Sequence, residues 1–157
     1  MPGTRPGYPA PMTSSSTLTR PPVEPAVSSR SARTFAVLSA LTTLAILLQA
    51  VTAGQFVQRE GQDSWVTVHG VIADASWVLA LITAGYGFRK IRETHRPLVR
   101  AAVALFAITL AQTGIGHLIT DNGQDGWIAV HVPLAVVIFG LTGWLTLHAV
   151  RAARRAR

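Results

Sequence analysis

Four apolar stretches, roughly residues 34–57, 65–88, 98–120 and 127–150, set the terms on which this chain can fold. Each runs about 23 residues, and about 20 helical residues at 1.5 Å apiece cross a hydrocarbon core. In lipid no water is present to serve the backbone, so every N–H and C=O must be satisfied within its own segment, which a helix does. The expected fold is therefore all-α, an integral membrane four-helix bundle. Composition agrees: 49% of residues are hydrophobic and only 13% charged, against about a quarter charged in ordinary soluble domains.

The bundle reads as two copies of one unit. Gly61-Gln62-Asp63-Ser64-Trp65-Val66-Thr67-Val68-His69 returns as Gly123-Gln124-Asp125-Gly126-Trp127-Ile128-Ala129-Val130-His131, always 62 residues on, and Gly54 and Gly116 keep the same offset. Each unit is a hairpin: a helix, a short loop, and a second helix with a histidine early in it. Two such hairpins in parallel make a bundle with an approximate two-fold axis along the membrane normal. Part of the nonapeptide has an ordinary role. Gly61, Gly123 and Gly126 suit turns, Asp63 and Asp125 stand where helix N-caps belong, and Trp65 and Trp127 stand at interfacial level.

Charge orients the bundle. The net charge is +7, but it is placed by topology. Arg89, Lys90, Arg92, Arg96 and Arg100 crowd the link between the second and third segments. Arg30 and Arg33 precede the first, and Arg151, Arg154, Arg155 and Arg157 follow the fourth. The other two loops hold Arg59, Glu60 and Asp63, then Asp121 and Asp125. The positive-inside rule puts both termini in the cytoplasm and both nonapeptides outside, in a multi-pass protein of the cell membrane. This placement needs no nucleic acid to explain it. Residues 1–33, which hold seven of the nine prolines, read as a disordered cytoplasmic tail, and residues 151–157 as a basic one. The 34–150 region is the transmembrane domain. With no cysteine in the chain, disulfides, thiolate ligation and covalent haem attachment are excluded.

His69 and His131 lie roughly 6 Å below Trp65 and Trp127, counting 1.5 Å per residue. Ionisable groups inside a membrane usually face the bundle interior and have a partner there. Neutral imidazole is a common metal ligand, and two imidazoles from facing helices, one on each side of a planar ring, hold a b-type haem in a bundle. On the second segment His69, Ala73, Ser76, Ala80, Thr83 and Gly87 form one stripe of small residues. Gly114 and Gly116 stand near His117, and Ala50, Ala53 and Gly54 line the first segment. Such residues leave room for a flat ring, or for close helix packing. Gln49, Gln112, Gln55 and His117 (the last two related by the offset of 62) are candidates to bind cofactor propionates or orient an imidazole. Arg59 is the cation placed to meet a propionate from outside. The glutamines equally suit interhelical hydrogen bonds to each other. Asp74 sits about 140° around the helix from His69, off the histidine face, where it suits a proton relay or a pairing with a Thr or Gln of a neighbour. His95 and His148 read as interfacial.

The glutamine-bearing helix, short loop and early histidine, repeated, resembles one half of haem A synthase. Leu48-Gln49-Ala50-Val51-Thr52-Ala53-Gly54 and Leu110-Ala111-Gln112-Thr113-Gly114-Ile115-Gly116 look like that family's odd-numbered helices. The chain also resembles small four-helix membrane proteins of actinobacteria with the same hairpin repeat. The resemblance covers about residues 34–150. It implies a four-helix fold in which His69 and His131, at the family's ligand positions, would hold a haem. The family's Glu three residues before a ligand histidine is here Val66 or Ile128, and the Arg that often follows is Gly70 or Val132. Methyl-group oxidation is therefore not expected. A two-haem path, as in the two-half family, would need a homodimer.

Three functions remain open on the sequence. One is a haem b protein transferring electrons to or from a redox partner in the membrane or on its outer side. A second is a structural or partner-binding bundle whose histidines bond across helices. A third is a small proton-coupled transporter subunit using Asp74, His69 and His131.

Overall fold

The computed structural model describes residue 3 and residues 28–59 and 63–156, less the side chain of residue 56. Most of the expected disordered tail, together with Gly61 and Gln62, lies outside the described residues. Four α-helices account for nearly all of the described residues: α1 (Ser29–Gln58), α2 (Asp63–Lys90), α3 (Arg96–Thr120) and α4 (Ile128–Arg155), with a 3-10 turn, Asp125–Trp127, leading into α4. All four are long and apolar enough to cross a membrane. They pack in a ring in chain order, α1 beside α2 and α4, and α3 beside α2 and α4. Thus α2 and α4, the two histidine-bearing helices, are diagonal.

Two helices are longer than the apolar stretches. The α1 helix starts at Ser29 because Ser28 caps it, its Oγ accepting the Ser31 N–H at 3.2 Å. Residues 29–33, expected in the tail, are therefore helical. At the other end α4 continues to Arg155, since arginine is a good helix former and the helix need not stop where the lipid does. Asp125 is not an N-cap. It is the first residue of the 3-10 turn, and Gln124 precedes it. The Gln124 side chain instead accepts the Trp127 indole N–H at 3.1 Å. Gly123 has φ +64°, the left-handed conformation that glycine adopts without strain.

The fully buried residues gather in one half of the bundle. They are Ala32 to Ile46 on α1, Ser76 to Gly87 on α2, Leu98 to Thr109 on α3 and Ile138 to Ala153 on α4, joined by Ile91. Toward the other end, among the described residues, only Thr52 is fully buried. The predicted small-residue stripe is the inward face of α2: Ser76, Ala80, Thr83 and Gly87 are all buried. Interhelical hydrogen bonds join the helices there, the kind of contact that holds apolar helices together where water is absent. The bonds are Thr42–Thr83 between α1 and α2 at 3.1 Å, and Thr43 to Thr142 and Thr146 between α1 and α4 at 3.1 and 2.8 Å.

Asp74 points outward. It is exposed, and its Oδ1 accepts the Trp77 indole N–H at 3.1 Å, one turn on along α2. Its partner is thus on its own helix, not a Thr or Gln of a neighbour.

Candidate functional site

Each histidine is gripped from the preceding helix of its own hairpin. The Gln49 Nε2 of α1 donates to the His69 carbonyl at 3.0 Å. The Gln112 Nε2 of α3 donates to the His131 carbonyl at 2.8 Å. The glutamine side chains thus hold the backbone that carries each ring. A carbonyl in the first turns of a helix already accepts an i+4 N–H and has a second lone pair for such a bond. Each bond fixes the sliding register of its hairpin.

The two rings are both half-buried. His69 is held through its Nδ1, 3.1 Å from the Thr52 hydroxyl. That hydroxyl also lies 3.1 Å from the Leu48 carbonyl and 3.0 Å from the Gln49 carbonyl. A hydroxyl has one proton to give. With it donated to a carbonyl of α1, the Thr52 oxygen accepts from Nδ1–H of His69. In that arrangement the lone pair of the His69 ring is on Nε2, the nitrogen a metal uses when Nδ1 is tied to an outer partner. Thr52 was missed in the sequence reading. Its signal was a hydroxyl three residues, hence one turn, beyond Gln49 on the same face.

His131 stands differently. Its Nδ1 and the Gln112 Oε1 are both buried with no hydrogen-bond partner among the described residues. Its ring lies against α3 at Gly116, where a Cβ would sit 3.5 Å from the His131 Cε1. Gly116 thus lines this site, beside a ring of α4.

The remaining candidates fall at the margin. Gln55 is half-buried, three residues beyond Thr52, and its carbonyl accepts the Arg59 N–H at the end of α1. The Arg59 guanidinium lies over the Trp65 ring, 5.4 Å from its centroid, beside Ser64 and Val68. His117 is exposed and turned from the other two histidines, its Nδ1 2.9 Å from Asp121 Oδ2. Asp74 lies outside the group as well. The three groups expected for a proton relay, Asp74, His69 and His131, are not brought together.

Beyond the end of α3, the Thr120 hydroxyl and then the His117 imidazole hold the Asp121 carboxyl below its ordinary range. A depressed carboxyl pKa adds stability that is present above the unfolded value and is lost as pH falls through the folded one. A carbon-13 titration of the Asp121 carboxyl is expected to show a midpoint below the free value of about 3.9. In the Thr120→Ala protein the midpoint should return toward it.

Among the described residues no three His, Cys, Asp or Glu side chains gather to hold a metal ion. Zinc sites draw three or four ligands from the protein, so that class finds no support here. A haem is different, since its ring supplies four nitrogens and the chain need supply only the axial pair. The residues present fit that demand on two counts. The donor set is two imidazoles on diagonal helices, and the buried polar atoms of His131 and Gln112 lie where the second of them is held. No family model, curated protein or solved structure matches the chain.

Proposed function

We propose that this chain is an integral membrane bundle of two repeated hairpins that binds one haem b between His69 and His131 and transfers electrons. The observation that carries the reading is the pair of imidazoles on diagonal helices, each with its backbone gripped by a glutamine of the preceding helix. The Thr52 hydroxyl at the His69 Nδ1 supports it, as does the gathering of fully buried residues in the half away from the histidines. Bound there, haem would supply a one-electron iron couple. With two axial histidines that couple favours electron transfer over oxygen chemistry.

The chain's own residues do the positioning. Gln49 and Gln112 hold the two helix segments, Thr52 orients His69, and Arg59 stands at the outer mouth with a charge suited to a propionate. The basic ends support an orientation that would put this site in the outer half of the cell membrane, in reach of a redox partner in the lipid or outside.

An oxidised-minus-reduced absorption spectrum of the detergent-purified protein, from haem-sufficient cells, tests the reading. A b-type Soret and α-band with about one haem per chain are expected. A colourless protein would overturn it. The rival reading is then a structural bundle, which the Thr52 and Gln49 bonds to His69 favour because they tie helices together without any cofactor.

A further inference from the structure

The two halves of the site are unequal, and the inequality is written in the chain. His69 is held at the backbone by Gln49 and at Nδ1 by Thr52. His131 has the matching backbone bond from Gln112, while its Nδ1 has no partner among the described residues. Counting three residues on from each glutamine, Thr52 is matched by Ile115. Counting by the repeat offset of 62, it is matched by Gly114. Neither side chain can accept a hydrogen bond. A second feature loosens the same segment. Pro133, two residues past His131 inside α4, has no N–H to give to the Ala129 carbonyl one turn back. The corresponding residue of α2 is Val71, which has one.

We infer that His69 is the fixed ligand of the pair and His131 the displaceable one, so that the His131 side admits a small neutral diatomic ligand. This rests on the haem reading above. An outer partner on the second imidazole nitrogen fixes ring orientation and raises ligand basicity, and its loss typically costs about 10–100-fold in affinity. The His131 ring lacks that support and sits against a glycine, where no Cβ blocks its movement. The exchange moves no electron and no proton. With haem bound, the Nε2 lone pair of His131 would give way to the carbon lone pair of carbon monoxide, and the imidazole would stay neutral.

The test adds carbon monoxide to dithionite-reduced protein and follows the Soret band. The wild type is expected to start as a six-coordinate b-type centre and to shift on carbon monoxide. Ile115→Thr supplies in the second half what Thr52 supplies in the first, and should weaken carbon monoxide binding by about tenfold or more. The alanine variants should differ: His131→Ala keeps haem in a five-coordinate, high-spin form, and His69→Ala does not keep it. Haem content from the pyridine haemochrome and helix content from circular dichroism are read on each, so that a misfolded variant is recognised and the wild-type result then decides alone. A six-coordinate wild type that ignores carbon monoxide would overturn the asymmetry and leave the haem reading standing. So would haem retention in His69→Ala with loss in His131→Ala. A wild type with no b-type spectrum would overturn the haem reading itself.

Discussion

The His69→Ala protein is expected to leave purification without the b-type spectrum of the wild type, and His131→Ala without the low-spin α-band. Both should keep the helix content of the parent. The physical reason for the second half of this expectation is where the rings sit. Each is only half-buried, in the part of the bundle where, among the described residues, Thr52 alone is fully buried, so neither ring supports the packed core. The glutamine bonds go to the histidine backbones, and alanine keeps that carbonyl. What alanine removes is the imidazole and nothing else of consequence. His69→Ala also takes away the group that shares the Thr52 hydroxyl. That hydroxyl keeps its bonds to the Leu48 and Gln49 carbonyls, so no buried polar group is stranded. An unchanged spectrum in His69→Ala would show that this histidine is no ligand.

Gly87→Ala should destabilise the bundle. A Cβ at Gly87 would stand 2.7 Å from the Phe35 Cε2, 3.3 Å from its Cδ2 and 3.5 Å from the Val99 Cγ2. Phe35 is 1% exposed and Val99 4%, so the ring has nowhere to withdraw. Two effects of opposite sign compete. Alanine is the better helix former by about 0.8–1.0 kcal/mol, while overpacking a tight core costs about 1–3 kcal/mol. The overpacking wins, for a net loss of up to about 2 kcal/mol. Two controls separate the terms. Gly85→Ala, where a Cβ meets nothing within 4 Å, should be neutral or stabilising. Phe35→Leu should rescue part of the loss when combined with Gly87→Ala, a coupling that two independent sites would not show. Unfolding in mixed detergent micelles, followed by circular dichroism, measures the wild type, the three single variants Gly87→Ala, Gly85→Ala and Phe35→Leu, and the double variant.

How much of this could be read from the chain depended on which physical signal each residue carried. Length and apolarity were enough for four helices, and the inward face of α2 was visible because Ser76, Ala80, Thr83 and Gly87 are small as well as evenly spaced. The face of α3 was not. A helix that is apolar all round, as lipid demands, loses the periodicity that tells inside from outside. His117 was therefore grouped with His69 and His131, although it lies 100° around the helix from Gly116, the residue that meets the His131 ring. The helix ends were hidden for another reason. Ser28 caps α1, and Arg151, Arg154 and Arg155 continue α4, by local hydrogen bonding and helix propensity, which hydropathy does not register. Thr52 escaped because a threonine in an apolar helix usually bonds its own backbone. Its second bond, to a neighbouring helix, is visible only once the helices are placed.

The threonine seam bears on how the protein is made. Thr42 bonds α1 to its immediate successor, while Thr43, the next residue, bonds it to α4. Of the four helices, the first to leave the ribosome thus carries one side that is satisfied at once and another whose mate is the last of the four to be synthesised. Until then Thr43 has the Ser39 carbonyl of its own helix to bond. The nascent bundle must hold that seam open through the synthesis of about a hundred residues, and the ring closes only once α4 has followed.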